Sequence, residues 1–96
     1  MAQKQKIELN FNDVDDFHFK KPLKGYMMKI ADDHYVIGNE DLAIKSTGKT
    51  PKEAAEMLKE QFIVLANDIM YKSKYAPLSE RERKKVNIIN SICDII

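Results

Sequence analysis

Histidine and carboxylate side chains adjoin each other at one point of the sequence, Asp32-Asp33-His34. Carboxylate oxygens and imidazole nitrogens are both ligands of zinc and related metals. Successive short acidic side chains also bond to nearby backbone and favour a tight turn, which accounts for the two aspartates without a metal. The acidic run from Asp13 to Asp16 lacks the ligand spacing and the later glutamate of a calcium loop. We therefore expect no metal site.

No set of residues in the sequence predicts catalysis. The single cysteine, Cys93, stands among isoleucines, where a buried thiol is expected rather than a reactive thiolate. One cysteine also excludes an intrachain disulfide. The three glycines are isolated from one another, so the chain has no phosphate-binding loop and no dinucleotide fingerprint. We expect a protein that is not an enzyme and that uses no cofactor.

Four cations crowd a short stretch near the C-terminus: Arg81, Arg83, Lys84 and Lys85. They fall in the first turns of a predicted helix, where the positive end of the helix dipole opposes them. A phosphate-binding patch explains such a placement, and so does an ordinary solvated face. No aromatic residue is interleaved with these cations, so stacking on the bases of a single strand is not expected. These four residues are the candidates for contact with nucleic acid.

The composition is typical of one globular domain over residues 1–96, with 44% apolar residues, 32% charged residues and a net charge of +1. The charge is unevenly distributed along the chain. Residues 26–71 carry five lysines and eight acids, a net −3, whereas residues 72–96 carry six basic residues and three acids, a net +3. A protein built for non-specific nucleic-acid binding is usually basic overall, and this one is not. An acidic middle suits a protein partner of opposite sign.

The sequence does not predict a membrane or export segment. No stretch approaches the ~20 apolar residues of a membrane span. The N-terminal residues, Met1 to Lys6, are polar and lack a signal-peptide core. We expect a cytoplasmic protein that makes no membrane contact.

Alternation of apolar and polar residues predicts an N-terminal strand over Lys6–Asn12. A loop follows, with a short extended piece at Phe17–Phe19. The next strands are predicted at Tyr26–Ile30, His34–Ile37 and Leu42–Ser46, the first of which places Tyr26, Met28 and Ile30 on one face. The connections between them are too short for parallel neighbours, so these three strands form an antiparallel meander.

Two capping boxes predict two helices. Thr50-Pro51-Lys52-Glu53 opens the first, whose apolar residues recur at helical spacing to about Tyr71, so that one face lies on the sheet. Ser79-Glu80-Arg81-Glu82 opens the second, which we expect to continue over residues 79–96. Its many isoleucines either complete the core or pair with another chain.

These elements predict an α+β fold: a small antiparallel sheet, made of the meander and the N-terminal strand, with one helix packed on a face and a C-terminal helix. Residues 26–71 form the central unit of the domain, made of the strand meander and the first helix. We also expect a homodimer, because the N-terminal strand is long enough to extend its own sheet or another subunit's. The isoleucine-rich last helix offers apolar area for the same contact.

The segment Tyr26–Asn67 resembles the core of the HicB-like antitoxin family. The resemblance is carried by the hairpin Tyr26–Ile37, by Asn39-Glu40-Asp41-Leu42, and by the helix entry from Ser46 to Ala55. In that family a strand pair, an acidic or proline turn with a leucine, and a Gly-x-Thr-x-x-Glu-Ala helix entry follow in this order. The proline and glycine that the family usually has in the turn are replaced here by Asn39-Glu40 and Ala43.

The resemblance implies a partial ribonuclease-H-like sheet without catalytic carboxylates, and assembly into dimers or higher oligomers. It also implies a partner, a small basic toxin that cleaves mRNA and whose active surface the antitoxin covers. The residues expected to bind that partner lie on turns beside the sheet: Asp32, Asp33, His34, Glu40 and Asp41. Two alternatives stay open, a nucleic-acid-binding regulator using Arg81–Lys85 and an accessory protein of a mobile element that has lost its partner.

Overall fold

The computed structural model describes residues 4–13 and 16–95 of the chain. Its elements in chain order are β1 (Gln5–Leu9), β2 (Phe17–Phe19), β3 (Leu23–Ala31), β4 (His34–Asn39), β5 (Ile44–Gly48), α1 (Pro51–Tyr75), α2 (Glu80–Ile92) and β6 (Cys93–Ile95). The predicted α+β class is confirmed, with a four-stranded antiparallel sheet and a second sheet of two strands.

The large sheet has the strand order β1-β3-β4-β5. The predicted meander is present as β3-β4-β5, and the N-terminal strand lies on the edge of its own sheet, where Leu9 pairs with Leu23 and Ile7 with Gly25. Side chains alternate between the faces of a strand. Leu9, Leu23 and Ile37 therefore share the buried face.

Several predicted strand boundaries are wrong by a few residues. The N-terminal strand ends at Leu9 rather than Asn12. Strand β3 is longer than the predicted Tyr26–Ile30, and β4 is longer than the predicted His34–Ile37. The last strand begins at Ile44 rather than Leu42. Leu42 belongs to the preceding turn and is buried there, so its apolar side chain did not mark a strand.

Helix α1 packs on the sheet as predicted, but the hydrogen bonds of the described residues at its start include only half of the predicted capping box, since no bond from the Thr50 N–H to the Glu53 carboxylate is among them. The Thr50 hydroxyl accepts a hydrogen bond of 3.1 Å from the Glu53 N–H, and the buried residues are Ala54, Leu58, Phe62, Ala66 and Ile69. A side chain at Gly48 would place its Cβ 2.5 Å from the Ala54 nitrogen, so glycine is required where β5 meets the helix. The helix continues to Tyr75, about one turn beyond the predicted end, and Pro77 disfavours further helix at Ala76.

The predicted helix over residues 79–96 is wrong at its C-terminal end. Helix α2 opens on the complete capping box of Ser79 and Glu82, but it ends at Ile92. Residues 93–95 form β6, which pairs antiparallel with β2, and Phe17 lies opposite Ile95. Only Ile95 of these three residues is a strong strand former, so the strand follows from its pairing with the short extended piece predicted at Phe17–Phe19. Ile96 lies outside the described residues.

The core unites both sheets and both helices. Ile89, Ile92 and Cys93 are buried with Phe17 and Phe62. The buried isoleucines of α2 therefore complete the core of their own chain. Within residues 4–13 and 16–95, no helix combines the length and hydropathy that a membrane crossing requires.

Candidate functional site

The large sheet has one covered face and one uncovered face. Helix α1 packs on the face of Leu9, Leu23 and Ile37, to which the buried residues of α2 also contribute. By strand alternation, Tyr26, Met28 and Val36 lie on the other face, which we name the outer face. The pairing of β3 with β4 shifts register between Lys29 and Ala31, so the predicted grouping of Ile30 with Tyr26 and Met28 on one face does not follow from the strand register. Tyr26, Met28 and Val36 are half-buried, and Ile30 is 50% exposed.

Tyr26 lies at the end of the outer face that is next to the β4–β5 turn. Its ring lies against Gly38, where an added Cβ would stand 2.6 Å from the Tyr26 Oη. The Lys4 ammonium lies 4.7 Å from the centre of the same ring, a cation–π contact. Lys4 also forms an ion pair with Glu40. The hydrogen bond from Lys4 lowers the pKa of Glu40 below its ordinary value. Tyr26 and Glu40 thus line one open cleft of about 680 Å³.

The turn between β4 and β5 is set by the buried side chain of Asn39. Its Nδ2 donates to the Lys24 carbonyl at 2.5 Å, and its Oδ1 accepts from the Leu42 N–H at 2.7 Å. Ala43 in this turn has a φ of 54°, a left-handed conformation that favours glycine. Glu40 and Asp41 are presented to solvent by this arrangement.

The five residues expected to bind a partner form two groups. Asp32 and Asp33 make the β3–β4 turn as predicted, and His34 begins β4. Glu40 and Asp41 follow the other end of β4, about 20 Å away for a strand of this length. The structure thus keeps each acidic group together and places the two groups at opposite ends of the outer face. All five are exposed.

Asp32 and Asp13 both contact residues a few positions away in the sequence. The Lys29 ammonium lies 3.6 Å from the Asp32 carboxylate. Asp13 bonds to His18 Nδ1 at 2.7 Å and accepts from the Phe19 N–H at 2.8 Å. The His18 hydrogen bond is the main cause of a lowered Asp13 pKa. Over the part of the chain that the structure describes, no three acidic, histidine or cysteine side chains cluster as metal ligands.

The four C-terminal cations do not share one side of α2. Arg81, Lys84 and Lys85 have the i, i+3, i+4 spacing of one helix side. Arg83 is two residues from Arg81 and so points to the opposite side. Arg81, Arg83 and Lys84 are exposed, whereas Lys85 is half-buried.

Two exposed tyrosines near the end of α1 were missed by sequence reasoning. Tyr71 and Tyr75 are 68% and 73% exposed, with ring centres 4.9 Å apart. The predicted helix end near Tyr71 concealed them, because only a helix that continues to Tyr75 puts both rings on one side. Pro77 could have indicated the true end, because a proline disfavours helix at the residue before it, Ala76, rather than at Tyr71.

An ion pair joins the end of α1 to the start of α2. The Lys72 ammonium donates to a Glu82 carboxylate oxygen at 2.7 Å. That bond, with a second from the Ser79 N–H, lowers the Glu82 pKa to about 2.

The chain matches no protein-family model, no curated protein and no solved structure.

Proposed function

We propose that this chain is a non-enzymatic protein-interaction module of the HicB-like antitoxin type, which binds a small basic protein on its outer face. The observation that carries the proposal is the outer face itself. Its apolar column of Tyr26, Met28 and Val36 is left uncovered by the described helices and ends at an acidic turn on each side. An apolar centre with charged ends is the usual layout of a protein interface.

The order of elements supports the same proposal. A hairpin, a third strand and a capped helix follow one another in β3, β4, β5 and α1, as the resemblance implies. The left-handed residue Ala43 occupies the turn in which the family usually has a glycine.

The charges indicate what kind of partner fits. Asp33 and Asp41 have no cation within 4.0 Å among the described residues, so both are free to meet basic side chains of a partner. Lys6 on β1 is paired with Tyr26, and Lys45 on β5 is paired with Gly38, so one lysine lies on each side of the apolar column. A partner with an apolar centre and basic ends therefore suits the face better than a uniformly basic one.

Affinity capture from the native host tests this proposal. The tagged wild-type chain is compared with Asp32→Lys/Asp33→Lys, which reverses the charge at one end of the outer face. The matched control, Glu56→Lys/Glu60→Lys, makes the same charge change on the exposed side of α1. We expect a small basic protein to be retained in a fixed ratio by the wild type and the control, and lost from the turn variant.

Hydrogen exchange of the captured complex locates the contact. Amides of β3, β4 and the two acidic turns should gain protection when the partner is bound, whereas those of α2 should not. Equal capture by all three proteins, or protection confined to the helices, would contradict the proposal.

We further propose that the chain forms a homodimer through β1. This strand is an edge of the large sheet, and an edge strand offers unpaired backbone groups to a second copy. The buried isoleucines of α2 no longer contribute area to such a contact, because they lie in the core of their own chain. Sedimentation equilibrium at tens of micromolar checks this, and a monomeric mass would contradict it.

A further inference from the structure

The edge strand β1 carries two opposite charges on the outer face of the sheet. Lys6 and Glu8 are two residues apart in β1, so their side chains project from the same face. They lie opposite Tyr26 and Lys24 of β3, respectively. Because Tyr26 belongs to the outer face, Lys6 and Glu8 belong to it as well. Both side chains are exposed.

Neither charge has an ion-pair partner within the part of the chain that the structure describes. Over residues 4–13 and 16–95, no carboxylate lies within 4.0 Å of the Lys6 ammonium, and no basic group lies within 4.0 Å of the Glu8 carboxylate. By contrast, Lys4 is paired with Glu40. Lys6 and Glu8 are therefore available to charges of another molecule that pairs with β1.

Of the two edges of the large sheet, the β1 edge is the open one. Helix α1 packs mainly on β4 and β5, and at the β5 edge a Cβ added at Gly48 would stand 2.5 Å from the Ala54 nitrogen. Strand β1 pairs with β3 without a break from Gln5 to Leu9 and contains neither a proline nor a bulge, two of the devices that block edge pairing. A second strand can therefore extend the sheet at β1.

Two-fold symmetry restricts how two copies of β1 can pair. Opposite residues of an antiparallel ladder point to the same face, so one residue on the axis lies opposite its own copy. Centring the pair on Lys6 opposes two ammonium groups, and centring it on Glu8 opposes two carboxylates. Centring it on Ile7 places Lys6 of each copy opposite Glu8 of the other. Opposite charges across antiparallel strands stabilise their pairing, whereas like charges destabilise it.

The register centred on Ile7 also suits the inner face of the strand. Ile7 then lies opposite Ile7 of the second copy, and Leu9 lies opposite Gln5. In one chain Ile7 is half-buried and packs against the core. The second copy covers its remaining apolar surface, which adds a favourable contribution to that of the charges.

We propose that two copies of this chain pair through antiparallel β1 strands centred on Ile7, held in register by two Lys6–Glu8 ion pairs. This register specifies the homodimer proposed above and rests on it. The two four-stranded sheets then form one sheet of eight strands, with both outer faces on the same side. The two copies of β3, each with its Tyr26, are three strand spacings apart, about 14 Å.

The second copy also completes the cleft on the outer face. The cleft of about 680 Å³ is lined by Tyr26 and Glu40 and, on its other side, by Lys6, Ile7 and Glu8. In one chain the cleft ends at these residues, because β1 is the edge strand. In the dimer, Glu8 of the second copy stands beside Lys6 and adds a carboxylate to the wall of the cleft.

Charge reversal tests the register by sedimentation equilibrium of the full chain at tens of micromolar. Lys6→Glu opposes two carboxylates on each side of the axis, and Glu8→Lys opposes two ammonium groups in the same way. Each single variant should weaken dimerisation about tenfold or more. The double variant Lys6→Glu/Glu8→Lys exchanges the charges and should restore the dimer. An equimolar mixture of the two single variants should also dimerise, because every carboxylate then faces an ammonium group.

Matched controls separate the register from a general effect of charge. Lys52→Glu and Glu56→Lys make the same two changes at exposed positions of α1 and should leave the dimer unchanged. Raising the salt concentration should reduce the differences between the β1 variants and the wild type. Circular dichroism confirms that each variant is folded.

Cysteine cross-linking locates the axis. Ile7→Cys, Lys6→Cys and Glu8→Cys are each made together with Cys93→Ser, whose hydroxyl can donate to the Ile89 carbonyl as the Cys93 thiol does. A residue on the axis faces its own copy with Cα atoms about 4.5–5.5 Å apart, within the range of a disulfide. Oxidation should therefore cross-link the chain with Ile7→Cys, and should leave the chains with Lys6→Cys or Glu8→Cys mostly single.

Three results would overturn the register and leave the homodimer in place. They are an equal loss of dimer in the α1 controls and the β1 variants, a mixture of the single variants that stays monomeric, and cross-linking at Lys6→Cys or Glu8→Cys instead of Ile7→Cys. A monomeric wild type would overturn the homodimer and the register together. Docking of a basic protein is decided separately, by capture with the Asp32→Lys/Asp33→Lys variant.

Discussion

The sheet region and the C-terminal junction of this chain are built by different kinds of contact. The sheet region consists of β3, β4, β5 and the first half of α1, which follow one another along the chain and pack in that order. The junction consists of β2, α2 and β6, and it joins residues 17–19 to residues 93–95. Contacts of the first kind are dictated by short turns, whereas those of the second close a loop of more than 70 residues and depend on the folded core.

The difference shows in how each region is held. In the sheet region, the Ser46 hydroxyl donates to the Ala54 carbonyl at 2.6 Å, and Gly48 brings β5 against the helix backbone. In the junction, three residue pairs join β2 to β6, and the N–H groups of Lys20 and Lys21 both point to the Ile92 carbonyl, at 2.9 and 3.3 Å. A two-stranded sheet this short has little stability of its own, so the junction relies on its buried side chains.

Phe62 connects the two regions, and its removal should have the largest effect. This α1 residue is fully buried, and its ring centre lies 5.6 Å from that of Phe19 and 6.3 Å from that of Phe11. Phe62→Ala should lower the free energy of unfolding by about 3–5 kcal/mol, the usual cost of truncating a buried phenylalanine. Urea unfolding followed by circular dichroism measures the loss. Val64→Ala, on the exposed side of the same helix, is the control and should change stability little.

Substitution of Phe17 tests whether the junction can open while the sheet region stays folded. This residue is buried in β2 opposite β6, so Phe17→Ala should cost about 3 kcal/mol, and we expect much of that cost to appear as local opening of the junction. Cys93 reports the opening, because burial raises the pKa of its thiol and its Sγ donates to the Ile89 carbonyl at 3.3 Å. Thiol labelling of Cys93 should accelerate about tenfold or more in the variant.

Exchange of the β3 and β4 amides provides the comparison for this variant. If the junction opens separately, those amides keep most of their protection while Cys93 becomes reactive. Equal acceleration of Cys93 labelling and of amide exchange in β3 and β4 would show that the two regions unfold as one unit.

Ala43 offers a stabilising change confined to the sheet region. Its φ of 54° lies in the left-handed region, which costs a residue with a side chain about 1–2 kcal/mol. Ala43→Gly removes that cost but gives the unfolded chain more freedom, so we expect a net stabilisation of about 0.5–1 kcal/mol. Ala55→Gly, within α1, should instead destabilise by about 1 kcal/mol. Thermal unfolding of both variants checks the opposite signs.

The sheet region could be predicted from sequence because its signals are local. The Asp32-Asp33 turn, the Thr50 cap and the period of Leu58 and Phe62 each act within a few residues. The end of α2 could not be predicted in this way. Ile92 and Cys93 fit a helix and a strand equally well by local pattern, and the choice was made by Phe17–Phe19, a segment far away in the sequence.

The candidate sites were predicted in part, for the same reason. The residues of each acidic group were correctly assigned to turns, but their separation follows from the length of β4. The cations of α2 were found from the sequence, whereas the exposed pair of Tyr71 and Tyr75 was missed because the helix was predicted to end near Tyr71. Composition identifies the charges of a site, but the tertiary contacts decide which of them act together.

The smallest expected effect tests the ion pair between Lys72 and Glu82, which joins the end of α1 to the start of α2. The Glu82 pKa is lowered to about 2 in the folded chain, chiefly by the hydrogen bond from Lys72. A lowered folded-state pKa means that the stabilisation is fully present above the ordinary value of 4.5 and is lost as the pH falls toward 2. Glu82→Gln removes the charge but keeps an oxygen that can still accept from the Ser79 N–H.

Urea midpoints of the wild type and Glu82→Gln should therefore differ most at pH 6–7 and converge as the pH falls toward about 2, where both side chains are neutral. Because the pair is exposed, the difference should be small and should shrink further in high salt. Glu60→Gln, on α1 away from Lys72, is the control for the loss of one negative charge. A constant offset between wild type and Glu82→Gln at all pH values would mean that Lys72 does not stabilise the charged form of Glu82, and that the capping hydrogen bonds alone hold the start of α2.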